Sequence, residues 1–179
     1  VVAGPSGVGK STLVNWVRER HPEVWVSVSM TTRAQRGTET DGVEYFFVSE
    51  PEFMATVESG QMLEWANYAG NLYGPPAEPV AARLAAGQSV ILEIEVQGAA
   101  QVKQRFPEAV LVFLKPPSWQ ELVSRLTGRG TESAEVIARR LEVAEHELAQ
   151  ESNFDVAVVC DTVEQAGLEL LKLASSPTE

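Results

Sequence analysis

The sequence is poor in cysteine and in positive charge, and it has no long apolar run. Its one cysteine, Cys160, excludes an internal disulfide and fits a reducing compartment, which points to the cytoplasm. Only 14 lysines and arginines stand against 25 acidic residues, giving a formal net charge of −11 and a pI near 4.7. Nucleic acid and anionic membranes select basic surfaces, so neither is expected as a main partner. No apolar stretch approaches the roughly 20 residues that a membrane helix needs. Internal repeats, low-complexity tracts and a signal peptide are also missing from the pattern. The chain opens inside an apparent strand without a Met, so a few residues are expected to precede Val1. What remains, at 44% hydrophobic and 22% charged over 179 residues, is an ordinary globular composition. That length suits one compact α/β unit with a full core, expected as a monomer or weak homo-oligomer.

The few positive charges are unevenly placed. Six of the arginines fall in two short regions, Arg33 and Arg36, then Arg125, Arg129, Arg139 and Arg140. The three tyrosines, Tyr45, Tyr68 and Tyr73, are also local. Clustered arginine in an acidic chain reads as a pocket for a small polyanion, because guanidinium offers a planar fork to phosphate oxygens. The alternative is solvated helix faces.

Residues 4–12 read GPSGVGKST, with the spacing G-x-x-x-x-G-K-S. Val1, Val2 and Ala3 look like the end of a buried strand. Leu13, Val14, Trp16 and Val17 form a helical stripe that stops before Pro22. A strand, a Gly-rich turn and a helix set successive backbone N–H groups around phosphates at a positive helix end. Gly4, Pro5, Ser6, Gly7, Val8, Gly9, Lys10, Ser11 and Thr12 are therefore the expected nucleotide-phosphate-binding segment. Lys10 would reach the β- and γ-phosphates, and the Ser11 hydroxyl would ligate Mg²⁺.

Beyond the first helix, alternating Val24, Val26 and Val28 predict a strand, residues 30–43 a loop, 44–48 a strand and 51–58 a short helix. A strand over 63–68 follows, Gly74-Pro75-Pro76 turns the chain back, and a helix is expected near 78–86. Then come a strand over 90–94, a helix over 97–106, a strand over 109–114, a helix opened by Ser118, a helix over 132–150, a strand over 156–159 and a last helix. Ser118 with Glu121, and Thr162 with Gln165, have capping-box spacing. Strands alternating with helices mean an α/β fold built on a doubly wound parallel sheet. The expected division is a core of 1–29, 75–124 and 148–179, an inserted α+β subdomain over 30–74, and a helical lid over 125–147. On the helix over 132–150 the stripe Ile137, Leu141, Ala144 and Leu148 is buried, leaving Arg140 at its flank and Arg139 toward solvent. His21 and His146 are given no catalytic role, Trp16 and Trp119 read as packing residues, and Cys160 as a buried structural cysteine.

The whole chain resembles the guanylate kinases, nucleoside monophosphate kinases with a phosphate loop. The motifs that carry the likeness are GPSGVGKST at 4–12, SVSMTTRAQRGTE at 27–39, DGVEYFFVS at 41–49, LEWANYAGNLYG at 63–74, LEIEVQGA at 92–99, PPSWQELVSRLTGRGTES at 116–133 and RRL at 139–141. The resemblance implies Mg²⁺-dependent phosphoryl transfer from ATP to GMP. It implies that Arg33, Arg36, Tyr45 and Tyr73 hold the GMP phosphate, with Glu39 supporting the arginines, and that Ser29 and Glu64 read the base. A carboxylate suits guanine, whose N1–H and N2–H are both donors, whereas adenine has an acceptor at N1. Lys10, Arg33, Arg125, Arg129 and Arg140 would be the catalytic cations, the last three closing over the transferring phosphoryl group. Glu93 and Glu95 are read as the end of the central strand, on one face. Glu95, further out, is the choice for the Mg²⁺ water shell or the GMP side.

The chain departs from the family pattern at a few positions. Pro75 stands where a Ser or Thr hydroxyl meets guanine O6, a loss of about 1 kcal/mol. Glu95 stands for Asp, Gln35 and Thr38 for Pro and Gly, Met30 for a smaller residue, and Cys160-Asp161 for an Asn near adenine. Two other readings compete. One is a guanylate-kinase-like interaction module, against which Lys10 and Ser11 are both retained. The other is a kinase for another monophosphate.

Overall fold

The computed structural model describes residues 1–128 and 134–175. In chain order the elements are β1 (Val2–Ala3), α1 (Lys10–Arg20), β2 (Val24–Val26), β3 (Ser29–Thr31), β4 (Tyr45–Phe47), α2 (Glu50–Glu58), β5 (Ala66–Tyr68) and β6 (Asn71–Gly74). They continue with α3 (Ala77–Ala85), β7 (Ser89–Ile91), α4 (Val96–Arg105), β8 (Val112–Lys115), α5 (Trp119–Thr127), α6 (Ala134–Leu148), β9 (Val156–Val159) and α7 (Val163–Ser175). The chain divides into two compact units, one of Val1–Pro22 with Val110–Glu179, the other of Glu23–Ala109.

The first unit is a parallel three-stranded sheet, β1-β8-β9, with helices against it. Strands β1 and β8 are short, buried apolar runs, as strands covered on both faces are, whereas β9 exposes Ala157 and Val159. Val2, Val112, Phe113, Leu114 and Val158 are 2% exposed or less. Trp16 on α1 packs over Gly167 of α7, where any side chain would collide with the indole. Leu122, Leu126 and Ala144 form a second cluster, with Leu141 and Leu148 packed against it, so three of the four predicted α6 stripe residues face this core, while Ile137 is half-buried. Trp119 departs from expectation. It sits in the first turn of α5 and is 39% exposed.

In the second unit β2 and β7 pair in parallel, and β4-β3-β6-β5 form a mixed sheet. The predicted strand over 24–28 stops at Val26 as β2, and a separate strand, β3, starts at Ser29 in another sheet. Met30 and Thr31 lie inside the expected loop, yet with Ser29 they form β3, held between β4 and β6. The expected central strand is β7, which pairs with β2 alone in a two-stranded sheet and stops at Ile91, and Glu95 is the N-cap of α4. Glu93 and Glu95 thus lie beyond the strand rather than on its last turns. Helix α2 begins one residue earlier than predicted, at a complete capping box of Ser49 and Glu52. At Ser118 and Thr162 the hydroxyl accepts the N–H three residues on, at 3.1 and 3.3 Å.

Candidate active site

In the first unit the chain leaves β1 directly into the turn 4–9 and enters α1 at Lys10. Gly7 and Gly9 have φ of 83° and 107°, values that a side chain would strain, and Gly9 is the N-cap of α1 with no side chain to cover the first-turn amides. The positive end of an 11-residue helix is therefore presented with no side-chain cap from its N-cap residue. Lys10 curls back so that Nζ donates to Gly4 O at 2.6 Å and Pro5 O at 3.4 Å, which holds the ammonium over the turn. Ser11 and Thr12 follow on the exposed side of the same turn of helix.

Helices α5 and α6 both grip this turn. Arg125 Nη1 donates to Val8 O at 2.9 Å, Nη2 to Cys160 O at 3.4 Å and Nε to Glu121 Oε1 at 3.1 Å. The expectation sets Arg125 over a phosphoryl group, but these donors point to protein acceptors and tie the underside of the turn to β9's exit. Arg140 is half-buried and reaches Ser6 Oγ at 3.4 Å, while its neighbour Arg139 is exposed, as helical geometry predicts. Sequence reasoning missed Glu147, two turns further along α6, whose Oε2 accepts the backbone N–H of Ser6 at 3.0 Å. Arg129 lies outside the described residues. Cys160 is buried, and burial pushes its thiol above its usual range, so it is an inert side chain.

In the second unit Arg33, Glu39, Tyr45 and Tyr73 converge. Glu39 accepts from Arg33 Nη2 at 2.7 Å and Nη1 at 3.1 Å, a bidentate pair, and also from the Arg36 N–H at 2.8 Å. That pairing raises the Arg33 guanidinium further and holds the Glu39 carboxyl below its ordinary value. The guanidinium lies 5.5 Å from the Tyr45 ring centre and 5.6 Å from that of Phe47, a contact the motif did not include. Tyr45 meets Tyr73 edge-on at 5.9 Å. Burial first, then the charges of Glu93 and Glu95, push the Tyr45 hydroxyl up, so it is a neutral donor at any working pH. Ser29, buried, is in register with Tyr45 across β3 and β4, and Arg36 is exposed.

Glu64 is the strongest electrostatic anomaly. It is 4% exposed, and its Oε2 has no hydrogen-bond partner among the described residues. Burial, reinforced by the Glu95 charge, pushes its carboxyl up to about 8. A buried acceptor without a donor is costly to a fold unless something else supplies that donor.

The guanylate kinase family model matches residues 1–176. Guanylate kinases of Thermobifida fusca and Streptomyces coelicolor are 60% and 57% identical, covering 99% and 98% of this chain and 91% and 89% of their own lengths. The crystal structure of guanylate kinase from Anaplasma phagocytophilum superposes with a TM-score of 0.78 at 27% identity, covering 99% of this chain and 86% of that one. The chain belongs to the guanylate kinase family.

Proposed function

We propose that the chain transfers the γ-phosphoryl group of ATP to GMP, giving ADP and GDP. The observation that carries the base assignment is Glu64, a buried carboxyl whose Oε2 has no donor among the described residues. Guanine N1–H and N2–H would supply two donors to its two oxygens, with Ser29 also at the base. Adenine, with a lone pair at N1, would leave that carboxyl unsatisfied, which is how a polar site rejects the wrong base strongly. Arg33, Arg36, Tyr45 and Tyr73 would hold the GMP phosphate, with Glu39 fixing the arginine fork. Gly4 to Thr12 would wrap the ATP phosphates, Lys10 and Arg140 would neutralise the transferring group, and Arg129 would join them. Arg125 is better assigned as a positioning residue that braces the phosphate turn through the Val8 carbonyl.

Among the described residues no three acidic, His or Cys side chains cluster as a metal cage. The single Ser11 hydroxyl suits a Mg²⁺ that would arrive on nucleotide phosphates and keep several waters, and Glu95 would serve the water shell or the GMP side, as the family likeness implies. That ion supplies charge neutralisation on the phosphates when bound. Among the described residues no helix is long and apolar enough to cross a membrane. A cytoplasmic setting and a monomeric or weakly associating state complete the reading, the first supported by the lone buried cysteine. The test is ATP- and Mg²⁺-dependent ADP release with GMP, AMP, dTMP and UMP in parallel, with Glu64→Ala alongside. Turnover with GMP alone, lost in the variant, is expected. Equal rates with all four acceptors would overturn the base assignment, and none with any would overturn the kinase.

A further inference from the structure

The stretch that carries Glu64 is held in an unusual way. Residues 62–65 precede β5, and the strand contacts around them are one bridge from Met62 to Pro76 and the Leu63 N–H bond to Pro75 O at 3.0 Å. Helix α4 supplies the rest. Arg105 Nη1 donates to Met62 O and, at 2.9 Å, to Leu63 O. Gln101 Nε2 donates to Trp65 O at 3.2 Å. The carbonyls immediately before and after Glu64 are thus both taken by side chains of one helix. On that helix Gly98 faces the Glu64 carboxyl itself, and a methyl group at Gly98 would collide with Oε2 and Cδ. Gly98, Gln101 and Arg105 are spaced three and four apart, so they share one helical face.

We propose that this face of α4 is a rack that positions Glu64 and thereby sets how sharply the acceptor site selects guanine. The proposal rests on the base-reading role given to Glu64 above. Gly98 provides the seat for the carboxyl, and Gln101 and Arg105 fix the height and tilt of the backbone that carries it. The simpler account of Arg105, a cation at a helix C-terminus, explains its charge but not why one nitrogen bridges two carbonyls more than forty residues away. These bonds border a cavity of about 310 Å³ lined in part by Trp65, Gln101 and Arg105. Water can therefore replace a deleted donor, and the fold survives while positional precision is lost.

The experiment compares Gly98→Ala, Gln101→Ala, Arg105→Met and Arg105→Lys with the unaltered protein, using GMP and IMP as acceptors. IMP lacks only the 2-amino group, so the GMP-to-IMP ratio of kcat/KM reports the second hydrogen bond to Glu64. Gly98→Ala and Arg105→Met are expected to raise the GMP KM about tenfold and pull that ratio toward one, with the ATP KM within twofold. Arg105→Lys, which keeps a donor, should recover part of the loss. Alanine is the better helix former, so a Gly98→Ala defect cannot come from α4 propensity. A second readout needs no nucleotide: carboxyl-carbon NMR of Glu64 in each variant, where a loosened rack admits water and lowers the titration midpoint from about 8. Should Gly98→Ala fail to fold, Gln101→Ala at an exposed position carries the same two readouts. Unchanged midpoints together with unchanged GMP-to-IMP ratios would overturn the rack. Equal loss toward ATP and GMP would make the face merely structural and overturn it too. A protein that does not use GMP at all, yet shows the midpoint shift, would overturn the function above and with it the link to guanine selection, leaving only the positioning of Glu64 by this face of α4.

Discussion

Glu64 should make GMP binding a proton-releasing event. Its carboxyl is raised to about 8 by burial and by the Glu95 charge, so at pH 7 only about a tenth of the free protein is ionised there. Guanine presents two donors, so it binds the ionised form. Ionising Glu64 at pH 7 costs about 1.4 kcal/mol, less than the roughly 1.5–3 kcal/mol that each charge-assisted hydrogen bond returns. Binding therefore proceeds, with release of about 0.9 proton. From the same ionised fractions, apparent GMP affinity should rise about ninefold from pH 6 to 7, about fivefold from 7 to 8, and then flatten. The nucleotide's own phosphate also titrates near pH 6, so the control is Glu64→Gln, which keeps the phosphate contribution and removes the carboxyl. Titration calorimetry at pH 7 in two buffers of different ionisation enthalpy counts the protons, and the difference between wild type and variant should be close to one. Free-protein stability has the opposite trend. The folded state holds this proton from about pH 4.5 to about 8, where the unfolded chain has lost it, so the carboxyl's contribution fades as pH rises through that window. Glu64→Gln should gain on wild type in melting temperature between pH 5 and 8. Identical proton counts in the two proteins would refute the reasoning, whatever the affinities.

Three further outcomes follow from named contacts. Pro75 is buried and its carbonyl is held by the Leu63 N–H at 3.0 Å, so Pro75→Ser adds a hydroxyl on a backbone already fixed. GMP should bind about fivefold more tightly and ATP unchanged, and unaltered GMP binding in calorimetry would count against a base contact there. Removing the carboxylate that holds the Ser6 N–H, by Glu147→Ala, should raise the ATP KM about tenfold and spare the GMP KM, with Glu147→Gln recovering most of it in steady-state kinetics. The buried Cys160 thiol, pushed upward by burial, should react with a disulfide dye at least about a hundredfold more slowly in the native protein than in denaturant. Rapid native labelling would mean that β9's end opens freely.

How much of this was readable in advance depends on the range of the interaction involved. The phosphate turn is a local device: its spacing, its glycines and the helix after it all lie within residues 1–20, and the structure builds it there. The α6 stripe was legible for the same reason, because 3.6-residue periodicity is a property of the segment itself. Strands β3 and β6 were not, since Ser29–Thr31 and Asn71–Gly74 are short and partly polar, and they are strands because of what pairs with them. Strand β7 was predicted to end three residues too late because apolar character continues through Ile94 whereas the ladder with β2 ends at Ile91.

The site divides along the same line. Its charged residues are named by motif, but the groups that aim them are not. Gln101 and Arg105 belong to no motif, since their partners are backbone carbonyls 36 to 43 positions away, and a carbonyl has no signature in the sequence. Glu147 is similarly one more acid on a helix rich in them, until its oxygen is found on the N–H of Ser6, 141 residues back. Even Glu64 has this character. Its place in LEWA names it as the base reader, yet what makes it chemically distinctive is the seat left by Gly98, which only the packed α4 provides. Side chains that touch substrate are constrained by the substrate's chemistry and leave a pattern. Those that hold them in place are constrained only by the fold, so they are found only once the fold is in hand.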